Sequence, residues 1–462
     1  MATLESAIPE ILKGADVLVV GFGLSGQAAA ELLLSEGARV QAVDDDVRLA
    51  ETVDPAGWEA RGVRVRLGEV RRREMERLDL MVISPGVPLS SSWVDWAREA
   101  GVPVVGEIEV ASWAARAPIA VVGGTNGKST TTELLGAAIR EWGRPVEVGG
   151  NIGRALSAVV RGVPPEGWIV AEVSSFQMET IHRFRPRVAI YLNLTPDHLD
   201  RYASVNEYGA AKERMFENQT ESDLAVLNRD DAHVWSTRER IRARVLATSL
   251  SGRVDEGVSV EAGRVVARIG GRSFDVCARD DILIRGPRNL SNALAVVAAA
   301  LWMGAPASAV ARALATFEGL PHRMESLGTA AGIEFVNDSK ATNVEAVLSA
   351  LSSFTRPVIL IAGGLGKGLD FSPLAGASRG VVRRAILIGA SREEIGRVLE
   401  PVADVEFAET LSGAVRRAYE TANSGETVLL SPACASFDMF RNFEHRGDAF
   451  RAEVRTLMEG IG

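Results

Sequence analysis

Residues 119–130 read IAVVGGTNGKST, and the fold of the chain turns on them. The run IAVVG is short, apolar and rich in β-branched residues, as a buried strand requires. The segment that follows, TTELLGAAIREWG, has a helical pattern. Between them lies GTNGKST (124–130). Its glycines let backbone amides converge on phosphate oxygens, and the start of a helix adds a partial positive charge. The motif is a shortened phosphate loop, G-x-x-G-K-[ST], because Val122 stands where the first glycine usually falls. Gly124, Thr125, Asn126, Gly127 and Thr130 are expected to wrap the phosphates of ATP or GTP. Lys128 is expected on the β- and γ-phosphates and Ser129 on Mg²⁺. A second oxygen ligand for that metal is expected from another strand end, and Glu172, closing WIVAE at 168–172, suits it.

Similar apolar runs recur along the chain: VLVVG (17–21), LMVIS (80–84), VAIYLNL (188–194), PVILIAGG (357–364), AILIG (385–389) and TVLLS (427–431). Helical segments separate many of them, which is the rhythm of an α/β protein with mostly parallel sheets. Ligands of such sheets sit beyond the carboxyl ends of the strands. The stretch 258–278 alternates and carries glycine turns, so antiparallel strands are expected there, inserted in an α/β unit. Breaks between about Gly106 and Pro118, and at GLPHR (319–323), divide the chain into three expected domains: 1–106, 107–319 and 320–462.

At 462 residues, 47% hydrophobic and 24% charged, the chain has the composition of a globular protein of several domains. A net charge of −9 and the lack of a basic patch argue against nucleic acid as a partner. The longest apolar run, ALAVVAAALWM (293–303), is too short to span a bilayer, so no membrane insertion is expected. The opening MATLESAIPE lacks the basic start and apolar stretch of a signal peptide, which makes the cytoplasm the expected location. Cys277 and Cys434 form neither a disulfide framework nor a metal-ligand pattern.

A second glycine signature, Gly21, Gly23 and Gly26, follows the first strand, with Asp44 about where a ribose-binding acid would lie. Read alone it suggests NAD and a dehydrogenase, but a UDP-sugar satisfies the same turn and helix end. A dehydrogenase leaves GTNGKST unexplained. A regulatory module that binds ATP without making an amide would turn ATP over slowly and ignore amino acids.

The motifs GTNGKST, EVSSFQ (172–177), NLTPDHLDRY (193–202), YGAAKERM (208–215), NLSNA (289–293), GLPHRME (319–325), DSKATN (338–343), GGLGKG (363–368) and SPACASFDMF (431–440) occur in that order. The series, from about residue 21 to 447, resembles the Mur ligases of peptidoglycan synthesis. The DNPR signature of the diaminopimelate- or lysine-adding members is absent, which favours the D-glutamate-adding branch. The resemblance implies a Rossmann-like N-terminal domain that holds UDP, a central P-loop ATPase domain and a Rossmann-like C-terminal domain. It implies ATP and two Mg²⁺ as cofactors, with UDP-MurNAc-L-Ala and D-glutamate as small-molecule partners. A monomer is expected.

Carried over residue by residue, the resemblance places Leu24, Ser25 and Gly86 at the uridine-phosphate site. Asn151, Ser174, Gln177 and His198 face the muramoyl substrate, His198 also the second Mg²⁺. Asn289 and Asn292 border the adenine, although Arg288 stands where the family often has histidine. Arg323, Asp338 and Lys340 reach ATP, and Thr342, Lys367, Ser436 and Phe443 match the D-glutamate pocket. Among the histidines, His198 is expected at a strand end beside Asp197 and reads as functional, His322 is either functional or a shaper of its turn, and His182, His233 and His445 read as solvated or structural.

Lysine usage points the same way. Only five of the 51 Lys and Arg residues are lysine, namely Lys13, Lys128, Lys212, Lys340 and Lys367. All but Lys13 fall in motifs. The resemblance implies that Lys212 is carbamylated by CO₂, which turns an amine into a carboxylate-like ligand for the second Mg²⁺. A hard cation wants oxygen ligands, and a guanidinium stays charged and cannot react in this way.

Overall fold

The computed structural model describes residues 12–68, 72, 77–198, 201–366 and 368–459. It is an α/β structure with three sheets. The first has strands β1 (Asp16–Val20), β2 (Arg39–Asp44), β3 (Val63–Leu67), β4 (Leu80–Ile83) and β5 (Val104–Gly106), in the order β3-β2-β1-β4-β5. All its pairings are parallel.

The second sheet begins with β6 (Ile119–Gly123), β7 (Val146–Gly150), β8 (Trp168–Glu172), β9 (Val188–Tyr191), β10 (Leu224–Asn228) and β11 (Arg244–Ser249). It continues with β12 (Gly257–Glu261), β13 (Arg264–Ile269) and β14 (Arg272–Ala278), in the order β14-β13-β12-β11-β10-β9-β6-β8-β7. Its pairings are parallel except β12-β13-β14, an antiparallel meander within the stretch whose alternation announced it. The run expected as a strand over 188–194 is regular only to Tyr191, and the chain then leaves the sheet toward the loop end.

The third sheet has β15 (Glu325–Ala330), β16 (Ile333–Asn337), β17 (Val358–Gly363), β18 (Val382–Ile388), β19 (Asp404–Phe407) and β20 (Thr427–Leu430), in the order β15-β16-β20-β17-β18-β19. Only β15 pairs antiparallel. β17 and β20 are buried along their whole length, as continuous apolar runs in a sheet covered on both faces should be.

The chain divides into two compact units, one made of Met1–Ile282 with Ser291–Thr316, the other of Leu283–Leu290 with Phe317–Gly462. The first unit holds two sheets, and one apolar cluster runs through both, from Val17 and Val19 to Val121 and Ile169. Their junction is polar at one point. The helix Glu107–Ala114 follows β5 directly, and its Glu109 is fully buried. Its carboxylate accepts backbone N–H bonds from His182, Arg183 and Phe184 at 2.8, 2.8 and 3.0 Å, and a fourth bond from Trp113 Nε1 at 2.9 Å. Four donors replace the water that this carboxylate loses.

Among the described residues, no helix is long and apolar enough to cross a membrane.

Glu109→Ala strands three backbone donors at this junction. Each is expected to cost about 1–3 kcal/mol, so the variant should melt several degrees below the parent. An unchanged melting curve would rule out Glu109 as the tie between the two sheets.

Candidate active site

β6 ends at Gly123, and the chain turns through Gly124 (φ 140°) and Gly127 (φ 84°) into the helix Lys128–Glu141. Glycine is required at 127 for two reasons. The φ is left-handed, and a Cβ would lie 2.5 Å from Asn292 Oδ1. Among the described residues no side chain caps this helix, so its first amides remain available to an anion.

The loop is held from the neighbouring strand ends. Asn193, just after β9, accepts the Asn126 N–H through Oδ1 at 2.9 Å and donates Nδ2 to the Asn126 carbonyl at 3.0 Å. Its backbone carbonyl accepts from Thr125 N at 3.0 Å. Thr125 Oγ1 accepts from Thr195 N at 3.1 Å. Lys128 Nζ lies on the Thr125 carbonyl at 2.7 Å. Ser129 Oγ donates to Glu172 Oε2 at 2.5 Å, and the other oxygen of Glu172 accepts from Asn151 Nδ2 at 2.9 Å. Ser129, Glu172 and Asn151, read from three separate motifs, therefore form one cluster. Asn193 was quoted only as part of a motif, and its signal is an amide side chain directly after an apolar strand.

Lys212 belongs to the same cluster. It lies near the end of the helix Val205–Glu213, is buried, and donates from Nζ to the Gly124 carbonyl at 2.8 Å. Its ammonium also sits 4.5 Å from the centre of the Tyr208 ring. Burial, helped by the charge of Lys128, draws its pKa down to about 7, against the pull of Asp197 and Glu172. At neutral pH a large fraction of this amine is uncharged.

His198 was expected at a strand end. It stands instead in the loop well past Tyr191, with a left-handed φ of 54°. Its ring lies 4.8 Å from that of Phe176 and 5.9 Å from that of Tyr208. Ser174 and Gln177 engage each other in a capping box at the helix Ser175–Met178, with Gln177 Oε1 accepting from Ser174 N at 2.9 Å. Gln177 also lines a narrow cleft with Ser84, Glu107, Phe176 and Arg201. Arg201, which sequence reading passed over, stacks 4.1 Å above Phe176 and bonds to Glu179 at 2.5 Å.

The glycine signature opens the helix Leu24–Ser35, again with no side-chain cap among the described residues. A Cβ at Gly26 would lie 1.9 Å from the Gly21 carbonyl, so that glycine is obligatory for the turn. Ser84 Oγ donates to the same carbonyl at 2.7 Å. A Cβ at Gly86 would meet nothing within 4 Å, and Leu24 is 81% exposed, so this face is open. Ser25 follows in the first turn of the helix. Asp44 does not present its carboxylate outward as a dinucleotide fingerprint would. It accepts from Phe22 N at 2.6 Å and Asp46 N at 2.9 Å, which holds the glycine turn in place.

In the second unit, Asp338 follows β16 and is buried. It accepts from Ser431 Oγ at 2.8 Å and Met324 N at 3.2 Å, and burial pushes its pKa up to about 7 despite these bonds and nearby Arg323. Lys340 Nζ lies 3.8 Å above the Phe443 ring. Thr342 N donates to the Lys340 carbonyl at 2.8 Å, and Ser436 is buried in the loop after β20. Asn289 Nδ2 donates to the Arg285 carbonyl at 2.9 Å. His322 is buried with φ 62°, and its Nδ1 lies 3.0 Å from Asn337 Nδ2, so its ring braces the turn that carries Arg323. Lys367 lies outside the described residues.

His182, His233 and His445 make local contacts, with Val104 O at 3.1 Å, Glu213 Oε1 at 3.2 Å and Arg441 N at 3.3 Å respectively.

Three family descriptions match successive regions: "Mur ligase MurD-like, N-terminal domain" over residues 15–106, "Mur ligase middle domain" over 122–300 and "Mur ligase, glutamate ligase domain" over 322–434. Among curated relatives, the UDP-N-acetylmuramoylalanine--D-glutamate ligase of Thermoanaerobacter sp. (strain X514) is 41% identical over 453 residues, covering 96% of this chain and 99% of its own. That of Pelotomaculum thermopropionicum is 43% identical over 446 residues, covering 96% and 98%. Among solved structures, the UDP-N-acetylmuramate-alanine ligase MurC of Thermotoga maritima aligns with a TM-score of 0.60 at 18% identity, over 96% of this chain and 100% of that one. The MurF ligase of Thermotoga maritima, solved in complex with ADP, gives 0.59 at 17% identity over 98% of both chains. These two establish the fold, and the sequence matches carry the kinship: the chain belongs to the Mur ligase family.

Proposed function

We propose that this protein is an ATP-dependent amide ligase that joins D-glutamate to UDP-N-acetylmuramoyl-L-alanine during peptidoglycan precursor synthesis. The observation that carries the reading is the convergence of Ser129, Asn151, Glu172 and Lys212 on one phosphate loop. This occurs in a chain that is 41–43% identical, over nearly its whole length, to relatives named for that reaction. Residues 1–106 serve the UDP moiety, 107–319 the ATP and 320–462 the amino acid, in a cytoplasmic monomer.

The chemistry follows from the weakness of a carboxylate as an electrophile. A carboxylate oxygen of the alanyl group attacks the γ-phosphorus of ATP, and the bond to ADP breaks. The amine of D-glutamate then attacks the acyl carbon. The tetrahedral intermediate expels phosphate, the amine loses a proton, and an amide remains. Each step gathers negative charge, so the protein's task is placement and electrostatic stabilisation. The amides of the Gly124–Ser129 loop and the Lys128 ammonium take the phosphates, with Asn193 fixing the loop's shape. Asn151 and His198 face the muramoyl side, and Arg323, Asp338 and Lys340 serve the nucleotide. Thr342, Lys367, Ser436 and Phe443 form the acceptor pocket.

The residues present suit Mg²⁺. Among the described residues there is no cluster of three or more His, Cys, Asp or Glu to hold a metal. Mg²⁺ in phosphoryl-transfer sites needs only one or two protein oxygens beside phosphate and water. Ser129 Oγ and Glu172 would hold the first ion, and His198 with carbamylated Lys212 the second. Bound there, Mg²⁺ offsets the charge shared between phosphates and carboxylate. The carbamate forms when the neutral Nζ of Lys212 attacks the carbon of CO₂ and releases a proton. Burial supplies that neutral amine.

The reading is tested by phosphate release from ATP and Mg²⁺ with UDP-MurNAc-L-Ala, with each of D-glutamate, L-glutamate, L-alanine and L-lysine. Turnover should depend on D-glutamate alone. Dependence on another amino acid would move the protein to a different branch of the family.

Lys212→Arg keeps a long basic side chain but cannot be carbamylated, and its turnover is expected to fall about a hundredfold or more. A variant as active as the parent would remove the carbamate from the mechanism.

Asp338 has a pKa of about 7 in the folded protein, above the usual 3.8 of its unfolded form. The folded state therefore binds the extra proton between about pH 4 and 7, and the stability this gives is lost as the pH rises through 7. The neutral Asp338→Asn variant should accordingly gain on the parent in thermal melts of ligand-free protein between pH 5 and pH 8. A melting difference that stays constant over that range would contradict the assignment.

A further inference from the structure

Arg446 is among the most deeply buried large side chains, at 1% exposure. It lies in the first turn of the helix Phe443–Glu459, on the same face as the buried Phe450 and Val454. Three features of this placement are unfavourable. A guanidinium is costly to bury, the positive end of a helix repels a cation, and among the described residues no carboxylate is hydrogen-bonded to it. Burial draws its pKa down to about 10, offset in part by Cys434 and Asp438. A residue that breaks local rules in this way is retained for what it holds.

What it holds are strand-end loops. Nε donates to Ser339 Oγ at 3.0 Å and one terminal nitrogen to the Ser339 carbonyl at 2.8 Å. The other terminal nitrogen donates to the Cys434 carbonyl at 3.1 Å. Ser339 Oγ in turn donates to the Phe443 carbonyl at 2.8 Å. A Cβ at Gly364 would lie 3.3 Å from the guanidinium and 2.4 Å from the Ala435 carbonyl, so the loop after β17 is packed on the same group. Leu365 and Ala435 exchange backbone bonds at 2.9 and 3.2 Å. One planar fork thus ties the segments after β16, β17 and β20. The first and third of these segments carry Lys340, Thr342 and Ser436.

We propose that Arg446 is the positioning residue of the amino-acid pocket, clamping these three loops so that Lys340, Thr342 and Ser436 face a bound D-glutamate in fixed register. The inference rests on the D-glutamate reading given above. A lysine has the charge but lacks the fork, so it spans these carbonyls poorly.

The test uses full-length Arg446→Met and Arg446→Lys, with steady-state kinetics in all substrates and a thermal melt of each. The KM for D-glutamate should rise about tenfold or more in Arg446→Met, with a lower kcat, while the KM for UDP-MurNAc-L-Ala stays within about twofold. Arg446→Lys should fall between Arg446→Met and the parent. A merely structural role lowers the active fraction and leaves every KM in place, so an unchanged KM for D-glutamate in folded Arg446→Met overturns the proposal. Should that variant fail to fold, Ser339→Ala removes the hydroxyl partner and must raise the same KM. Its failure to do so is equally decisive. Failure of the underlying reading is distinguishable, because the parent enzyme would then show no turnover dependent on D-glutamate.

Discussion

The hydrogen bond from Ser129 Oγ to Glu172 Oε2, at 2.5 Å, is the constraint on which the first unit's site depends. It joins the start of the phosphate-loop helix to the end of the neighbouring strand β8. The site follows from the order β7-β8-β6-β9 at one end of the sheet. Parallel strands deliver their carboxyl ends to one edge, so Asn151 after β7, Glu172 on β8, Gly124 after β6 and Asn193 after β9 become neighbours. No single segment contains the site; the topology assembles it. Lys212 completes it from a helix further along the chain, where its Nζ donates to the Gly124 carbonyl and burial lowers the cost of the neutral amine relative to the ammonium.

The same logic explains how a chain of net charge −9 can offer local sites to an anion. Bulk charge governs long-range attraction, but binding of a phosphate is local. The helix starts at Leu24 and Lys128, with no side-chain cap among the described residues, present backbone amides. Lysine side chains are then placed one at a time. Glycine is called for in both turns, since a Cβ at Gly26 would overlap the Gly21 carbonyl and Gly127 has a left-handed φ of 84°.

Much of this was legible in the sequence because it is local. The strand, loop and helix over 119–141 and the antiparallel insertion at 258–278 are short-range patterns, and the structure reproduces both. Glu109 was not legible. In GEIEVASW it reads as an ordinary helix acid, and its three backbone donors come from residues 73 to 75 positions away. Arg446 was missed for the same reason, because its partner Ser339 is 107 residues distant. A weak signal existed, since Arg446 occupies the register of Phe450 and Val454 on the buried face of its helix. For Asp44, spacing gives the position but not the direction of the carboxylate, which turns inward to the glycine loop. His198 was placed too near a strand because the apolar run LNL continues past the last regular pairing.

The central claim is that the alanyl carboxylate is activated as an acyl phosphate before the amide forms. The most direct measurement is to label that carboxylate with ¹⁸O, run the reaction with ATP and D-glutamate, and weigh the released phosphate. Each phosphate should carry one labelled oxygen, transferred from the carboxylate as the tetrahedral intermediate collapses. Unlabelled phosphate alongside amide product would contradict the account, because ATP cleavage would then not proceed through the carboxylate.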